Sequence, residues 1–493
     1  MEKRFRRVLF LTHRWLGIAG CLLMLMWFTS GVVMMYVPYP SITPQERRAG
    51  LAPLAWNAVR VQPPDALAKV RTATFPASFR LEMQGARPVY RIEWPDRRRQ
   101  AVWADTGNLV EAVGASKARA LAAAFTRLPA GSAVLIVRDQ WTVAQGFDPH
   151  RPLWRIEMND AAHTRVHIAA GSGEIVQHST AWERGWNWVG AIPHWLYLTA
   201  IRQHPEFWRQ LVMWTSGPLL LVGISGVWIG ILRLVRRGRW QSPYRGWMWW
   251  HHWLGLIGGL TLLTWVASGW LSVKPFGWFE RGGDHAVETA FRAVPDAGYF
   301  PRIDLFTVSR ALPDVRELRF DYFAGKPVIR AWSGPQKQVL LKPTGLPSLL
   351  TSQHAIMAAT TAMQPHRIET SVLIKEPDTY WYGRWQPRPL PVWRIVFSDP
   401  NRTWLHIDAT TGELLGQSTQ DARTYRWLFS FLHDFDLPVL LAHRSVRDPA
   451  MWVLLGLGTA LSASSIVIGW RRMTRPRRAL NPYRVQAHRQ FAE

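Results

Sequence analysis

The chain has 493 residues, 59 Lys plus Arg against 34 Asp plus Glu and a formal net charge of +25, yet only 19% of it is charged. With 48% apolar residues and 30 Trp it has too much to bury for a disordered polyelectrolyte. The single Cys21 excludes a disulfide scaffold and any four-cysteine metal site, and where the basic residues fall decides between a nucleic-acid binder and a membrane protein with basic loops.

In chain order, the first element is the charge-free run Trp15–Val37, about the 20 residues that cross a roughly 30 Å hydrocarbon core. Lys3, Arg4, Arg6, Arg7 and Arg14 lie around its start. A cleaved signal peptide is the alternative, but the run is too long and no Ala-x-Ala site comes before Pro38. Pro88–Val110 then shows an alternating strand, a short turn, a second strand, a Gly turn and a third short strand. An apolar helical pattern follows at Ser116–Leu128, and Pro152–Val176 repeats the strand plan. Leu211–Leu232 is a second charge-free run, followed by a short loop with Arg233, Arg236, Arg237, Arg239 and Arg245. Trp253–Val273 is the third run; strand plans at Lys326–Leu346 and Pro391–Leu414 flank a helical pattern at Leu349–Met363. Met451–Trp470 is the fourth run, and seven arginines from Arg471 to Arg489 follow it. The seventeen cations of these three basic segments share them with only Glu2 and Glu493, so the positive-inside rule puts both termini and the 233–246 loop in the cytoplasm. Much of the charge is thus a topology signal, not a nucleic-acid surface.

The halves align at an offset of 238–239 residues. LTHRWLGIAGCLLMLMWFTSG from Leu11 matches WWHHWLGLIGGLTLLTWVASG from Trp249, putting His13 on His251 and Gly17 on Gly255. PLWRIEM matches PVWRIVF, and HIAAGSGEIVQ from His167 matches HIDATTGELLG from His406. His194 falls on His433 and His204 on His443. The expected architecture is a membrane protein of α+β class: four transmembrane helices in two tandem span–domain–span repeats, with two large periplasmic α+β regions. Its parts are a cytoplasmic N-terminus with the first span (1–37), a first periplasmic region (38–205), the second span (206–233), a cytoplasmic loop (234–246), the third span (247–274), a second periplasmic region (275–447), the fourth span (448–471) and a cytoplasmic tail (472–493). Four small units, two per region, each place one helix on an antiparallel sheet. A bacterial inner membrane is the simplest setting.

HRWLG at His13, HHWLG at His251, the paired aromatic-Arg-Ile strands with their Thr/Ser-Gly-Glu turns, and the histidines before the even-numbered spans resemble the PepSY-associated transmembrane family, and within it the inner-membrane ferric-siderophore reductases. The resemblance covers essentially the whole chain. It implies PepSY-like outer domains and a haem-containing membrane oxidoreductase passing electrons outward to siderophore-bound iron.

Read by themselves, the histidines allow this. Haem b needs neutral imidazoles from separate helices at equal depth, and His13 and His251 both sit at the cytoplasmic ends of spans. Gly17, Gly20 and Gly31 lie about 40°, −20° and 0° round the helix from His13, and Gly255, Gly258 and Gly269 repeat this from His251. A stripe without side chains leaves room for a flat macrocycle; close helix packing accounts for the glycines equally, though not for the histidine above each stripe. His252, beside His251, is an alternative ligand. His194 and His433 lie in Trp- and Phe-rich segments that suit the axial ligands of a second haem and equally an aromatic belt. His204 and His443, beside Pro or Arg at polar turns, fit surface or capping roles before ligation, and His167 and His406 fit packed strand positions. Two haems b, one near each face, would make a relay across the bilayer.

No Cys-x-x-Cys-His, strand-anchored Gly-x-Gly-x-x-Gly, His-Glu-x-x-His, Gly-x-Ser-x-Gly or phosphate-binding loop is present, so the electron donor must be a membrane quinol or a separate cytoplasmic reductase. Acidic residues are absent from the four runs, which argues against a proton-driven carrier. The expected partners are membrane lipid, that donor and a ferric siderophore. The Arg- and Trp-rich segment Tyr380–Pro391 could hold the siderophore, or cap the membrane surface as a loop. The competing function is a non-enzymatic, membrane-anchored module that binds a peptide or protease.

Overall fold

The computed structural model describes residues 2–70, 74–237, 239–279, 285–295, 299–334, 337–348 and 350–474. Of the expected features, Leu349 and the tail with Arg475, Arg477, Arg478, Arg484, Arg489 and Glu493 lie outside these residues. The chain forms two compact units: residues 1–32, 212–270 and 448–493 in one, residues 33–211 and 271–447 in the other.

The first unit is built from four helices long and apolar enough to cross a membrane: Glu2–Met34, Pro205–Arg233, Trp247–Ser272 and Arg444–Thr474. Each begins before its charge-free run, because backbone hydrogen bonding carries a helix on through its polar and aromatic flanks. Where these helices touch, small residues let them approach. A Cβ at Gly20 would lie 2.2 Å from Leu219, and one at Gly458 would lie 2.4 Å from the Phe28 ring. Phe28 in turn packs on Trp265 with ring centres 5.7 Å apart. The basic loop between the second and third helices holds a short antiparallel pair of strands, described below as β8 and β9.

Sixteen strands occur among the described residues. The first three are β1 (Ser78–Gln84), β2 (Arg87–Glu93) and β3 (Arg99–Trp103). After them come β4 (Ala130–Ile136), β5 (Leu153–Met158), β6 (Arg165–Ala169) and β7 (Ile175–Ser179). β8 (Val235–Arg237) and β9 (Arg239–Gln241) form the loop hairpin. The next three are β10 (Val315–Phe323), β11 (Lys326–Ser333) and β12 (Lys337–Leu341). The last are β13 (Ile368–Ile374), β14 (Val392–Phe397), β15 (Trp404–Asp408) and β16 (Leu414–Ser418).

The second unit does not contain four separate sheets. Its first and third strand groups join edge to edge into one six-stranded sheet, β12-β11-β10-β1-β2-β3. β1 pairs antiparallel with β10, Leu81 opposite Leu318. Two four-stranded sheets, β4-β5-β6-β7 and β13-β14-β15-β16, complete it. Each of the four strand groups gains a strand ahead of the expected plan (β1, β4, β10, β13), and the third short strand expected near Leu109 and Leu346 shrinks to single bridges, Val102 to Leu109 and Leu341 to Pro347. Aromatic side chains fill the core of the large sheet: Phe79, Tyr90, Phe300, Phe320 and Tyr322 are all buried there. The helices Ala115–Thr126 and Ser352–Ala362, close to their expected positions, cover the small sheets with Ala118, Leu121, Ala122 and Ala355, Ala358, Ala359.

The Ser/Thr-Gly-Glu turns fasten the small sheets to the large one. Glu174 pairs with Arg80, and Glu413 lies 3.2 Å from Arg319. The buried Arg91 donates to the Ser172 carbonyl (3.3 Å), and Arg330, 2% exposed, donates to that of Thr411 (2.6 Å). Each turn therefore serves as a strut, and the Arg of its partner strand is consumed in holding it.

Candidate functional site

Two histidine pairs meet in space, one inside each unit. In the helical unit the rings of His13 and His251 are 6.2 Å apart, centre to centre, tilted by 49°. In the α+β unit those of His194 and His433 are 6.0 Å apart and inclined at 75°. A first-row metal bonds imidazole nitrogen at about 2.0 Å and the ring centre lies about 1.15 Å beyond, so two axial imidazoles need centres about 6.3 Å apart. Both pairs fit that spacing. Rings stacked directly on one another are closer, as Trp381 and His406 are at 4.5 Å, whereas edge-to-face pairs such as Tyr197 and Trp208 also lie at 6.0 Å.

Around the first pair the helices enclose a cavity of about 650 Å³. His13, His251 and His252 line it, together with Gly17, Gly255, Gly226 and Gly230, and Arg14, Arg233, Arg245, Arg471 and Arg472 also contribute to its wall. The glycine stripes divide into two roles. A Cβ on Gly17 or Gly255 would make only ordinary contacts, at 3.7 Å to Val222 and 3.9 Å to Leu461, so these positions border open space. Gly20 and Gly258 face Leu219 and Leu457 at 2.2 and 3.3 Å, so they serve helix packing and do not widen the cavity. Gly226, on the neighbouring helix, makes room for the imidazole itself: its Cβ would lie 2.8 Å from Cε1 of His13.

Hydrogen bonds orient both rings. His13 Nδ1 donates to the Val222 carbonyl oxygen at 3.1 Å, with the Ser225 hydroxyl 3.4 Å away. His251 Nδ1 lies 3.0 Å from the Ser464 hydroxyl and 3.3 Å from that of Ser465. A carbonyl only accepts, so His13 carries its proton on Nδ1 and a lone pair on Nε2, the form that binds a metal. His252 differs: Nδ1 meets the Ser242 hydroxyl at 2.7 Å and Nε2 donates to the Gly230 carbonyl at 2.8 Å, so both nitrogens are engaged.

In the second pair, His194 ends the short helix Ala191–His194, its backbone N–H donating to Gly190 at 3.1 Å. His433 follows a widened, π-type turn at Arg426–Phe431, a local distortion that often re-aims functional side chains, and Phe429 stacks on it at 5.2 Å. A polar lattice fixes the loop beyond. Arg384 pairs with Asp434 at 2.7 Å, Tyr382 donates to Asp436, and Arg426 reaches Asp436 at 3.3 Å. Burial pushes the Asp436 carboxyl up from its ordinary value.

The remaining histidines are placed otherwise. His204 and His443 are exposed and sit at the starts of helices, their carbonyls accepting from Trp208 and Arg447. His167 is fully buried against Asp139 (2.8 Å), and His406 accepts from Arg394 at 3.0 Å. The Arg–Trp segment 380–391 is packed on itself. Trp381 is 2% exposed, Arg388 covers it at 4.5 Å and Arg384 is paired, which leaves Trp385 outside. Among the described residues no group of three or more His, Cys, Asp or Glu is arranged to hold a bare metal ion.

Reading the sequence missed Ser225, Ser464 and Ser465. Ser225 and Ser464 stand 239 residues apart, within aligned stretches that share Gly230/Gly469 and Arg233/Arg472. That coincidence was the available signal.

No curated protein matches the chain. Residues 350–418 match the family model described as Peptidase propeptide and YPEB domain, PepSY. The match covers helix Ser352–Ala362 and strands β13 to β16. The chain therefore combines a PepSY domain at residues 350–418 with four helices long and apolar enough to cross a membrane.

Proposed function

We propose that the protein is an inner-membrane di-haem b oxidoreductase of two tandem span–domain–span repeats, delivering electrons from a quinol or a cytoplasmic reductase to a periplasmic ferric siderophore and releasing Fe(II) for uptake. The observation that carries this reading is the recurrence, at two repeat-matched positions, of neighbouring histidines whose ring centres are 6.2 and 6.0 Å apart. Haem b held in this way supplies a one-electron carrier. His13 and His251 would hold one group in the glycine-lined cavity, and His194 and His433 the other. By sequence, the first pair belongs to the basic, cytoplasmic ends of its spans and the second to segments before the opposite ends. Oxygen donors hold Fe(III) hard and Fe(II) weakly, so one electron frees the metal without cutting the chelator. The chain needs no nucleophile or general base for this chemistry.

An absorption spectrum of detergent-purified protein is the test. The expected result is a Soret band, a reducible b-type α-band and two haems per chain. The reduced protein should reoxidise on adding a ferric siderophore, with Fe(II) trapped by a ferrous-specific chelator. The PepSY match favours a second reading, a membrane-anchored module binding a peptide or protease. Colourless protein from haem-sufficient cells would transfer support to it.

A further inference from the structure

Side-chain hydroxyls hold the two histidines of the cavity to different degrees, and the difference has a chemical consequence that rests on the functional reading above. Ser464 has one hydroxyl proton, and it is committed to the Leu461 carbonyl at 2.7 Å. Ser465 gives its proton to the same carbonyl at 2.9 Å. With their protons so placed, each oxygen offers lone pairs to the Nδ1 atom 3.0 and 3.3 Å away, and the Leu461 carbonyl, which only accepts, also acts on this ring, so Nδ1 carries the proton. His251 is thereby fixed in the tautomer with a lone pair on Nε2. His13 reaches the same tautomer through the backbone carbonyl of Val222. Ser225, the counterpart of Ser464, gives its proton to Leu221 and lies farther from its histidine, at 3.4 Å. Ser464, Ser465 and Ser225 make these bonds inside the helical unit, with Ser464 and Ser225 buried.

We infer that Ser464, backed by Ser465, is a positioning residue of His251 beside the Leu461 carbonyl, while His13 is positioned chiefly by the Val222 carbonyl. The hold of His251 on a haem in this cavity would then depend in part on side chains, and that of His13 on backbone that no substitution deletes. An acceptor on Nδ1–H makes imidazole a stronger electron donor, which favours Fe(III) and lowers the reduction potential. Removing both hydroxyls should raise the midpoint of that haem and loosen its hold, with no change in the polypeptide around His194 and His433.

The test uses the full chain in detergent: Ser464→Ala with Ser465→Ala, Ser464→Thr with Ser465→Ala, and Ser225→Ala. Redox titration at the α-band and haem transfer to apomyoglobin are the readouts. The double alanine variant should release one of its two haems about 10–100-fold faster, with that haem's midpoint moved upward and the other's unchanged. Threonine at 464, which restores a hydroxyl, should restore both quantities, and Ser225→Ala should cost less than the double variant. The unchanged second haem reports that the chain is folded. Haem-loaded protein whose release rates and midpoints ignore both serines overturns the inference alone. Protein without haem overturns the functional reading, and this inference with it.

Discussion

Glu82 and Glu317 face one another across the ladder that joins β1 to β10, and the Arg47 guanidinium pairs with both carboxylates. Like charges directly opposite in a ladder repel, and these two are almost wholly buried. Arg47 bridges the two carboxylates, and Arg80 and Arg91 also pair with Glu82. Its removal strips the buried Glu317 of its ion pair, at a cost of about 3–5 kcal/mol. Arg47→Ala should therefore lower the thermal midpoint sharply, and adding Glu317→Gln should recover part of the loss. If Arg47→Ala melts with wild type, the network does not hold the joint.

Acid sensitivity should arrive in two stages. Burial lowers the pKa of His150 to about 4 and that of His406 to about 3, so both are neutral in the fold and protonate near 6.5 once unfolded. Their stabilisation is complete above about pH 6.5 and erodes as the pH falls toward the folded values. Burial alone would raise the Glu82 pKa, yet Arg47, Arg80 and Arg91 hold it well below the ordinary carboxylate value, and His167 helps hold Asp139 at about 2 against the same effect. Their contribution persists to about pH 4.5 and is lost between there and pH 2. Melting curves across this range should show both stages, and His150→Gln should flatten the upper one.

Single histidine substitutions should separate the two proposed haems. His13→Ala or His251→Ala should remove about half of the haem measured per chain, and His194→Ala or His433→Ala the other half, with membrane insertion intact. Full haem in all four variants would contradict the assignment.

The glycines give a sharper contrast. Gly17→Leu or Gly255→Leu projects into the cavity from positions where a Cβ meets only ordinary contacts, so the protein should fold and lose the haem proposed for that cavity. Gly20→Leu drives a side chain into Leu219 and should destabilise the helices themselves by about 1–3 kcal/mol. Haem content and yield, measured together, distinguish these outcomes.

Much of this was legible in the sequence because it is periodic and local. Apolar runs fix the four helices, alternation fixes β5 and β14, and of the four matched histidine pairs two meet in space. The join of β1 to β10 was not legible, since it links residues more than 230 apart and nothing in Ser78–Gln84 names its partner. Gly17 and Gly20 read alike, and only the neighbouring helices give one a cavity and the other a contact. The serines behind His13 and His251 were hidden for a different reason: small polar residues are common at helix contacts, and their role depends on which carbonyl takes the hydroxyl proton.

The continuous sheet bears on what a shortened form of the chain can do. Severing the polypeptide in the basic loop between the second and third long helices would leave β1 bare on one fragment and β10 bare on the other, each an exposed edge with unmet backbone donors and acceptors. Such pieces are complementary: produced together they can heal by strand addition along Leu81 and Leu318, whereas either piece alone has only its own copies to cover that edge.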